Sequence, residues 1–463
     1  MAPMLRTSVI AGLATFLIAG ASLAAPKQLG MNVHQSSTVG LDATRDSGTK
    51  WVRIDLNWVD VEKTQGQYDW TIIDAVVDGA KQRGLEVLAV IAYGPAWASQ
   101  ADVKGDGPNN DIPKAGTYAS FVTAVVNRYK TKVTHYELWN EPNLGGFFEG
   151  TPQDYIDRIL TPGADALHAA CPACQVVAPG LASLASSKYD VWLDACLKAD
   201  AAKIDIVSGH IYAGFPQDGG TVGVTSDSFY NRLESHRILK FGSTVVFEGP
   251  LSFKEVMDQN QWKKPFWLTE TGQEAPLGDA TKEQAQLTYY RHTLESMLVR
   301  PWWETTIFYE GFDEPPAPYT WGIVVHDETQ PKKYKPKAVM GFLQGVTAKQ
   351  PAFGGTGTDC ADLLDNDDDG KIDFPADPDC KSASGTTEGA YTPPPGSDGG
   401  PPIGGYDGGT ADDAGTTDDA GTGNAADSGG GCAASSVSPT PWSASIPFAA
   451  LGVAALVRRR RRR

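Results

Sequence analysis

Between Lys27 and Gln350 the chain alternates short apolar runs with segments of helical period. The runs are Leu29 to His34, Trp51 to Trp58, Glu86 to Trp97, His135 to Asn143, Val176 to Gly180, Ile204 to Tyr212, Pro265 to Gly272 and Thr305 to Asp313. Between two of them, Tyr118, Phe121, Val122, Val125, Val126 and Tyr129 fall at i, i+3, i+4, i+7, i+8 and i+11, one face of a helix. Another helix is expected to begin near Asp69 as N-cap and to end at Gly84. Eight strands alternating with helices predict an α/β chain folded as a (β/α)8 TIM barrel over 26–350, with its chemistry at the C-terminal ends of the strands. An open doubly wound sheet is the alternative, but no Gly-rich loop follows the first run. The long interval from Ala213 to Trp262 predicts an elaborated loop above the sixth strand.

The pattern changes outside that region. Residues 1–25 place Arg6 before an apolar stretch from Val9 to Gly20 and then the small residues Ala21 to Ala25, the layout of a cleaved signal peptide. Its apolar core is shorter than the roughly 20 residues that span a bilayer. An exported chain is free to form disulfides. Residues 382–431 are a Gly, Pro and Asp linker too poor in apolar side chains to offset the entropy of ordering, and are expected to be disordered. Residues 432–463 join Cys432, an uncharged stretch ending in the apolar Ile446 to Val457, and the arginines Arg458 to Arg463. Arginines after a spanning-length apolar segment resist crossing a membrane. This unit resembles sorting tails of the MYXO-CTERM kind, which implies cell-surface attachment, with a permanent transmembrane helix as the plainer reading.

The formal net charge of −17 disfavours a nucleic-acid partner, which would need a basic face. The excess is segregated: 26–350 carries −9 and 351–431 carries −15. Much of the latter lies in a loop at 358–381, where Cys360 and Cys380 bracket CADLLDNDDDGKIDFPADPDC. Asp365, Asp367 and Asp369 alternate, Gly370 allows a turn, and Asp373 follows at the offset of an EF-hand-type loop, so a structural calcium ion closed by a Cys360 to Cys380 disulfide is expected. The twelfth position, Ala376, departs from that pattern, and an acidic linker closed by the disulfide is the alternative. The loop resembles Asp-rich calcium repeats of surface proteins.

The chemistry is expected at two strand ends. The fourth run ends in HYELWNEPN and the seventh in PFWLTETG, so Glu141 and Glu270 approach across a closed barrel. Hydrolysis of a glycosidic bond needs such a pair, one carboxylic acid for the leaving oxygen and one carboxylate for the oxocarbenium centre. Asn140-Glu141-Pro142 and Glu270 in Leu-Thr-Glu-Thr-Gly resemble glycoside hydrolase clan A, and the surrounding runs are similar to its families 39 and 5. The resemblance implies Glu141 as acid/base, Glu270 as nucleophile and Asn140 as holder of the sugar 2-hydroxyl, with Arg53, His210 and Tyr212 around the nucleophile. The eighth run departs, because Phe308-Tyr309-Glu310 stands where a tryptophan platform is expected; Trp321 is the substitute.

A cation at Arg53 and a hydroxyl at Tyr212 would keep Glu270 ionised, while Glu141 beside Trp139 can remain protonated where its neighbours are less polar. Tyr93, Trp97 and Trp58 are candidates for the sugar cleft, with core packing as the competing explanation. Glu137 is read as a structural strand charge, Glu310 and Asp313 as charges at a strand end, and His210 is weighed against a satisfied core histidine. Cys171-Pro172-Ala173-Cys174 lacks the further ligands of a zinc site, so a local disulfide or one to Cys196 is expected. The sum is an exported, surface-attached, monomeric retaining glycosidase of β-linked polysaccharide, with no catalytic cofactor and a membrane partner through its tail. A non-catalytic carbohydrate-binding or adhesion protein on the same barrel is the alternative; a metal-dependent hydrolase lacks its ligand motif.

Overall fold

The computed structural model describes residues 26–34, 38–100, 105, 107–184, 187–212, 232–236, 238–241, 243–313, 319–367 and 371–389. The eight expected runs form eight parallel strands in a closed barrel: Gln28–Asn32, Trp51–Asn57, Glu86–Ala92, His135–Leu138, Gln175–Ala182, Ile206–His210, Phe266–Thr271 and Trp303–Phe308. Each neighbours the next, and the eighth closes on the first with Met31 opposite Phe308. Most of the helices cover the outside. In Thr117–Tyr129 the six residues of the expected stripe are all buried. The helix expected to begin at Asp69 as N-cap spans Thr71–Gln82; its N-cap is Trp70, with no side-chain cap, while Asp69 one residue earlier accepts from the Thr71 amide, and the chain leaves through Gly84 at a φ of 71°. The interval after the sixth strand includes a hairpin of Ile238–Phe241 with Thr244–Glu248 and a helix, Phe253–Gln259.

Successive side chains of a strand alternate between the helices and the barrel interior, so the interior is built in layers. The lowest layer is apolar. Trp51, Leu88, Val177, Ile206, Trp267 and Ile307 form a buried cluster separate from the main core between strands and helices. The Trp51 ring meets Trp267 edge-on at 4.9 Å, and the His135 ring stacks on Trp267 at 5.1 Å. Burial lowers the His135 pKa to about 4, against the pull of Glu86 and Asp205, so this imidazole is neutral near pH 7. Two residues further along, the same strands present Arg53, Ser208 and Thr269, and two further still Asp55 and His210. The apolar plug forms the barrel's floor, and polar chemistry begins immediately above it.

Two disulfides tie the chain locally, Cys171 to Cys174 and Cys360 to Cys380, while Cys196 is free and buried. Among the described residues no helix is long and apolar enough to cross a membrane. The expected signal peptide, all but the first residues of the linker, and the sorting tail lie outside the described residues, as does Asp369.

Candidate active site

Arg53, in the middle of the second strand, organises the layer above the plug. Its side chain is 2% exposed. Nε donates to Glu137 Oε2 at 2.6 Å, Nη1 to Asn32 Oδ1 at 2.8 Å and Glu270 Oε1 at 2.6 Å, and Nη2 to Asn140 Oδ1 at 2.8 Å. Glu137 is fully buried, and its other oxygen accepts from Ser208 at 2.8 Å and Thr269 at 3.0 Å. A carboxylate so enclosed serves to fix the guanidinium in place. The structural reading of Glu137 agrees with this geometry. Asn32, Ser208 and Thr269 escaped the sequence reading; the signal that could have found them was their inward phase along strands whose alternate positions are apolar.

The turn after the fourth strand carries the second carboxyl group. Trp139 and Glu141 sit at φ of 79° and 44°, and Tyr93 after the third strand at 65°. A non-glycine residue in the left-handed region costs on the order of 1 kcal/mol or more, and such costs gather where a side chain must be aimed. Main-chain bonds hold the turn: Trp139 N donates to Ile91 O at 3.1 Å and Glu141 N to Gly180 O at 3.0 Å. Gly180 is itself at a φ of 60°, and a Cβ there would lie 2.8 Å from Glu137 Oε1. On the other wall, a Cβ on Gly272 would lie 2.1 Å from the Tyr309 carbonyl oxygen, so only glycine lets the seventh and eighth strands close beside Glu270.

Glu141, Glu270 and His210 converge. One carboxylate oxygen of each glutamate and a ring nitrogen of the histidine lie within 4.8 Å of one another. His210 is fully buried; its Nδ1 is 2.8 Å from Glu141 Oε1 and 3.6 Å from Glu270 Oε2, and the two carboxylates raise its pKa against the opposing effect of burial. Tyr212 donates to Glu270 Oε2 at 2.8 Å. Burial alone would raise the Glu270 pKa, but the charges of His210 and Arg53, with hydrogen bonds from Tyr212 and Arg53, hold it below the ordinary glutamate range. Trp139 turns its indole N–H to the Phe147 carbonyl oxygen, so the polar neighbour that Glu141 finds is His210.

The other expected residues divide. Asn140 donates to the Tyr93 hydroxyl at 3.0 Å, which joins Tyr93 to the network. Trp321 meets the Tyr212 ring edge-on at 5.4 Å and the Tyr309 ring at 6.2 Å, so it stands at this end of the barrel. Trp97 is anchored outside this network: its indole N–H donates to the Glu62 carbonyl oxygen, and its partly buried ring meets the fully buried Trp58 edge-on at 5.6 Å. The sequence reading also missed His34 and gave no role to Asp55, which bond Nδ1 to Oδ2 at 2.6 Å. Glu141, His210 and Glu270 come as close as metal ligands would, yet both Glu270 oxygens already accept hydrogen bonds, Oε1 from Arg53 and Oε2 from Tyr212.

In the acidic loop, Asp365 and Asp367 are buried, and Asp373 spends both carboxylate oxygens on the amides of Asp362 and Leu363.

A family model for cellulase, glycosyl hydrolase family 5, matches residues 16–304. The chain belongs to the cellulase family, glycosyl hydrolase family 5. As a family 5 glycoside hydrolase it needs no cofactor for catalysis. No protein of curated function matches it in sequence. Solved structures share the fold. A monomeric beta-xylosidase from Caulobacter crescentus CB15 is 19% identical, with a TM-score of 0.52 over 70% of this chain and 70% of that one. A family 39 glycoside hydrolase from Bacteroides cellulosilyticus WH2 is 19% identical, with a TM-score of 0.51 over 69% of this chain; the match spans 63% of the other chain's length. A glucosidase from Croceicoccus marinus is 16% identical, with a TM-score of 0.50 over 70% and 68%.

Proposed function

We propose that this family 5 glycosidase cleaves a β-linked polysaccharide with retention of configuration, Glu141 acting as acid/base and Glu270 as nucleophile. The observation that carries the reading is the short gap between the two carboxylates, within 4.8 Å oxygen to oxygen. Retaining enzymes separate their carboxyl groups by about 5 Å, whereas inverting ones leave room for a water between them. In the first step Glu141 gives its proton to the glycosidic oxygen, which leaves with the bonding electrons, while a Glu270 oxygen bonds the anomeric carbon. In the second, Glu141 takes a proton from water, whose oxygen displaces Glu270. Arg53 and Tyr212 favour the ionised nucleophile throughout.

Glu141→Ala and Glu270→Ala are each expected to lose activity on every glycan the parent cleaves; wild-type turnover by both would sink the assignment, whereas a parent that cleaves no glycan in a screen of aryl glycosides and polysaccharides would favour the non-catalytic binding protein. Proton NMR of the first-formed product should show the β anomer, and an α product would mean inversion. Export and surface attachment rest on the two chain ends, and are checked by mass spectrometry of the mature N terminus and by surface proteolysis of intact cells. For the acidic loop, Asp377 Oδ2 is buried without a hydrogen-bond partner and an oxygen of Asp377 lies within 4.8 Å of one of Glu388, which favours a calcium site. Asp365, Asp367 and Asp377 are then the donors to test, since Asp373 is engaged with amides. Calorimetric titration of the full chain with calcium should show saturable heat, lost in Asp377→Asn.

A further inference from the structure

The turn that carries Glu141 leaves the strand ladder before it reaches the site. Regular pairing of the fourth strand with the fifth ends at Glu137 opposite Val177, and Trp139 and Glu141 then adopt left-handed backbone at φ of 79° and 44°. Such conformations persist only where the surroundings over-determine them. Glu141 N is tied to Gly180 O at 3.0 Å, and Leu144 N closes the turn on Glu141 O at 2.9 Å. The side chain of Asn143 adds a further attachment. Its Oδ1 accepts from Ala182 N at 3.1 Å, while its Nδ2 donates to Ala182 O at 2.8 Å and to Ser187 O at 3.4 Å. One side-chain amide thus takes both main-chain groups of Ala182, as a neighbouring strand would.

Ala182 is where this attachment matters. On the other edge of the fifth strand Ala182 lies opposite His210, and Ser183 N donates to His210 O at 3.0 Å. One residue is therefore joined through Asn143 to the turn of Glu141 and through the ladder to the backbone of His210. Those are the two residues whose side chains meet at 2.8 Å. Ser187 Oγ donates to Ala182 O at 2.7 Å and backs the same carbonyl group. The amide of Asn143 has a fixed orientation, because an N–H faces its oxygen and carbonyl groups face its nitrogen. Both of its hydrogens are spent on main chain, so its part in the reaction passes through Glu141. That part is large in principle: a reacting group displaced by about 1 Å loses roughly a hundredfold in rate.

We propose that Asn143 is a positioning residue for the acid/base: by clamping the turn to Ala182 it holds Glu141 at proton-transfer distance in both steps. This rests on the glycosidase reading above and adds a residue to it. The test compares the parent with Asn143→Ala, Asn143→Asp, Glu141→Ala and the double variant of Asn143→Ala with Glu141→Ala. The substrates are phenyl and 2,4-dinitrophenyl β-glycosides of whichever mono- or oligosaccharide the parent accepts. Dinitrophenolate departs without a proton, whereas phenolate needs one. Asn143→Ala should therefore lose about a hundredfold in kcat/KM on the phenyl glycoside and under about threefold on the dinitrophenyl one. On the latter kcat and KM should fall together, because the glycosyl-enzyme waits for its base. Asn143→Asp keeps the acceptor for Ala182 N, loses the donor, and should fall between; it carries the comparison should Asn143→Ala fail to fold. Added to Glu141→Ala, the Asn143→Ala change should cost under about twofold more, since nothing is left to position. Both single variants at Asn143 should melt within about 5 °C of the parent. Equal losses on the two leaving groups, a further full loss in the double variant, or parent-level activity on the phenyl glycoside overturns the proposal while leaving Glu141 and Glu270 in their roles. A parent that cleaves no glycoside and no polysaccharide defeats the glycosidase reading itself.

Discussion

At the barrel mouth the buried Glu137 and Glu270 share one guanidinium, whereas in the loop beyond residue 357 the buried Asp362 and Glu388 lie among other carboxylates. The consequences are opposite. Arg53, His210 and Tyr212 hold Glu270 below the ordinary glutamate range, while burial, with neighbouring acids adding to it, pushes Asp362 and Glu388 up to about 7. Burial alone therefore does not say what a carboxyl group is for; the presence of a built-in cation does. The mouth has its counter-charge and is organised for chemistry, and the loop has carboxylates arranged as if the counter-charge comes from outside.

The largest effect is expected where that built-in pair is broken. Glu137→Ala leaves Arg53 buried with only Glu270 to answer it, and loss of one partner of a buried pair costs about 3–5 kcal/mol. Urea unfolding should show this, and activity should fall with it because Arg53 is no longer fixed. A cost below about 1 kcal/mol would mean that the guanidinium relaxes freely, and the contrast with the loop would lose its basis. Next comes the loop's own closure. The Cys360 to Cys380 bridge spans 20 residues, and a loop of that length is worth about 3 kcal/mol in the unfolded-chain entropy model. Replacing both cysteines by serine should open the loop to proteases while barrel activity stays at the parent level; unchanged protease resistance would show that packing alone holds the loop.

A smaller effect separates the two regions by pH. For Asp362 and Glu388 the folded pKa lies above the unfolded one, so between about pH 4 and pH 7 the folded loop binds more protons than the unfolded chain. Stability then falls as pH rises through that window, the reverse of a carboxylate paired like Glu270. Without divalent ions the loop's protection from proteases should be greater at pH 5 than at pH 8. Calcium should restore it at pH 8 and do little at pH 5, where protons compete. An ion that protects equally at both pH values would not be acting on these carboxyl groups.

The barrel was legible because short, mostly apolar runs recur eight times between segments of helical period, and a stripe such as Tyr118 to Tyr129 marks a helix face that packs against them. Glu141, Glu270, His210 and Tyr212 were legible because their short motifs sit at strand ends, and Arg53 because a charge stands inside an otherwise mostly apolar strand. The links between strands were not. Nothing local says that Glu137 reaches Arg53 across 84 residues, or that His34 finds Asp55 and Tyr309. Trp97 was a cleft candidate with core packing as its competitor, and no local signal foretold that its indole N–H would go to the Glu62 carbonyl oxygen and its ring to Trp58. The alternation in Asp365 to Asp373 likewise could not foretell that Asp373 would turn to the amides of Asp362 and Leu363.

The smallest expected change is the sharpest probe of the mouth. Tyr212→Phe keeps the ring that packs on Trp321 and Tyr309 and removes only the hydroxyl that donates to Glu270 at 2.8 Å. Arg53 and His210 remain, so Glu270 should still titrate below the ordinary glutamate range, but less far below it. The acid limb of kcat/KM reports the nucleophile of the free enzyme, and it should move upward by less than about one pH unit, equivalent to under ~1.4 kcal/mol. The sign matters more than the size. An upward shift shows that the hydroxyl binds the ionised form of Glu270; a downward shift would mean that the hydroxyl favours the protonated carboxyl group. An unmoved limb would assign the whole depression to Arg53 and His210, and Tyr212 would then serve the sugar rather than the nucleophile.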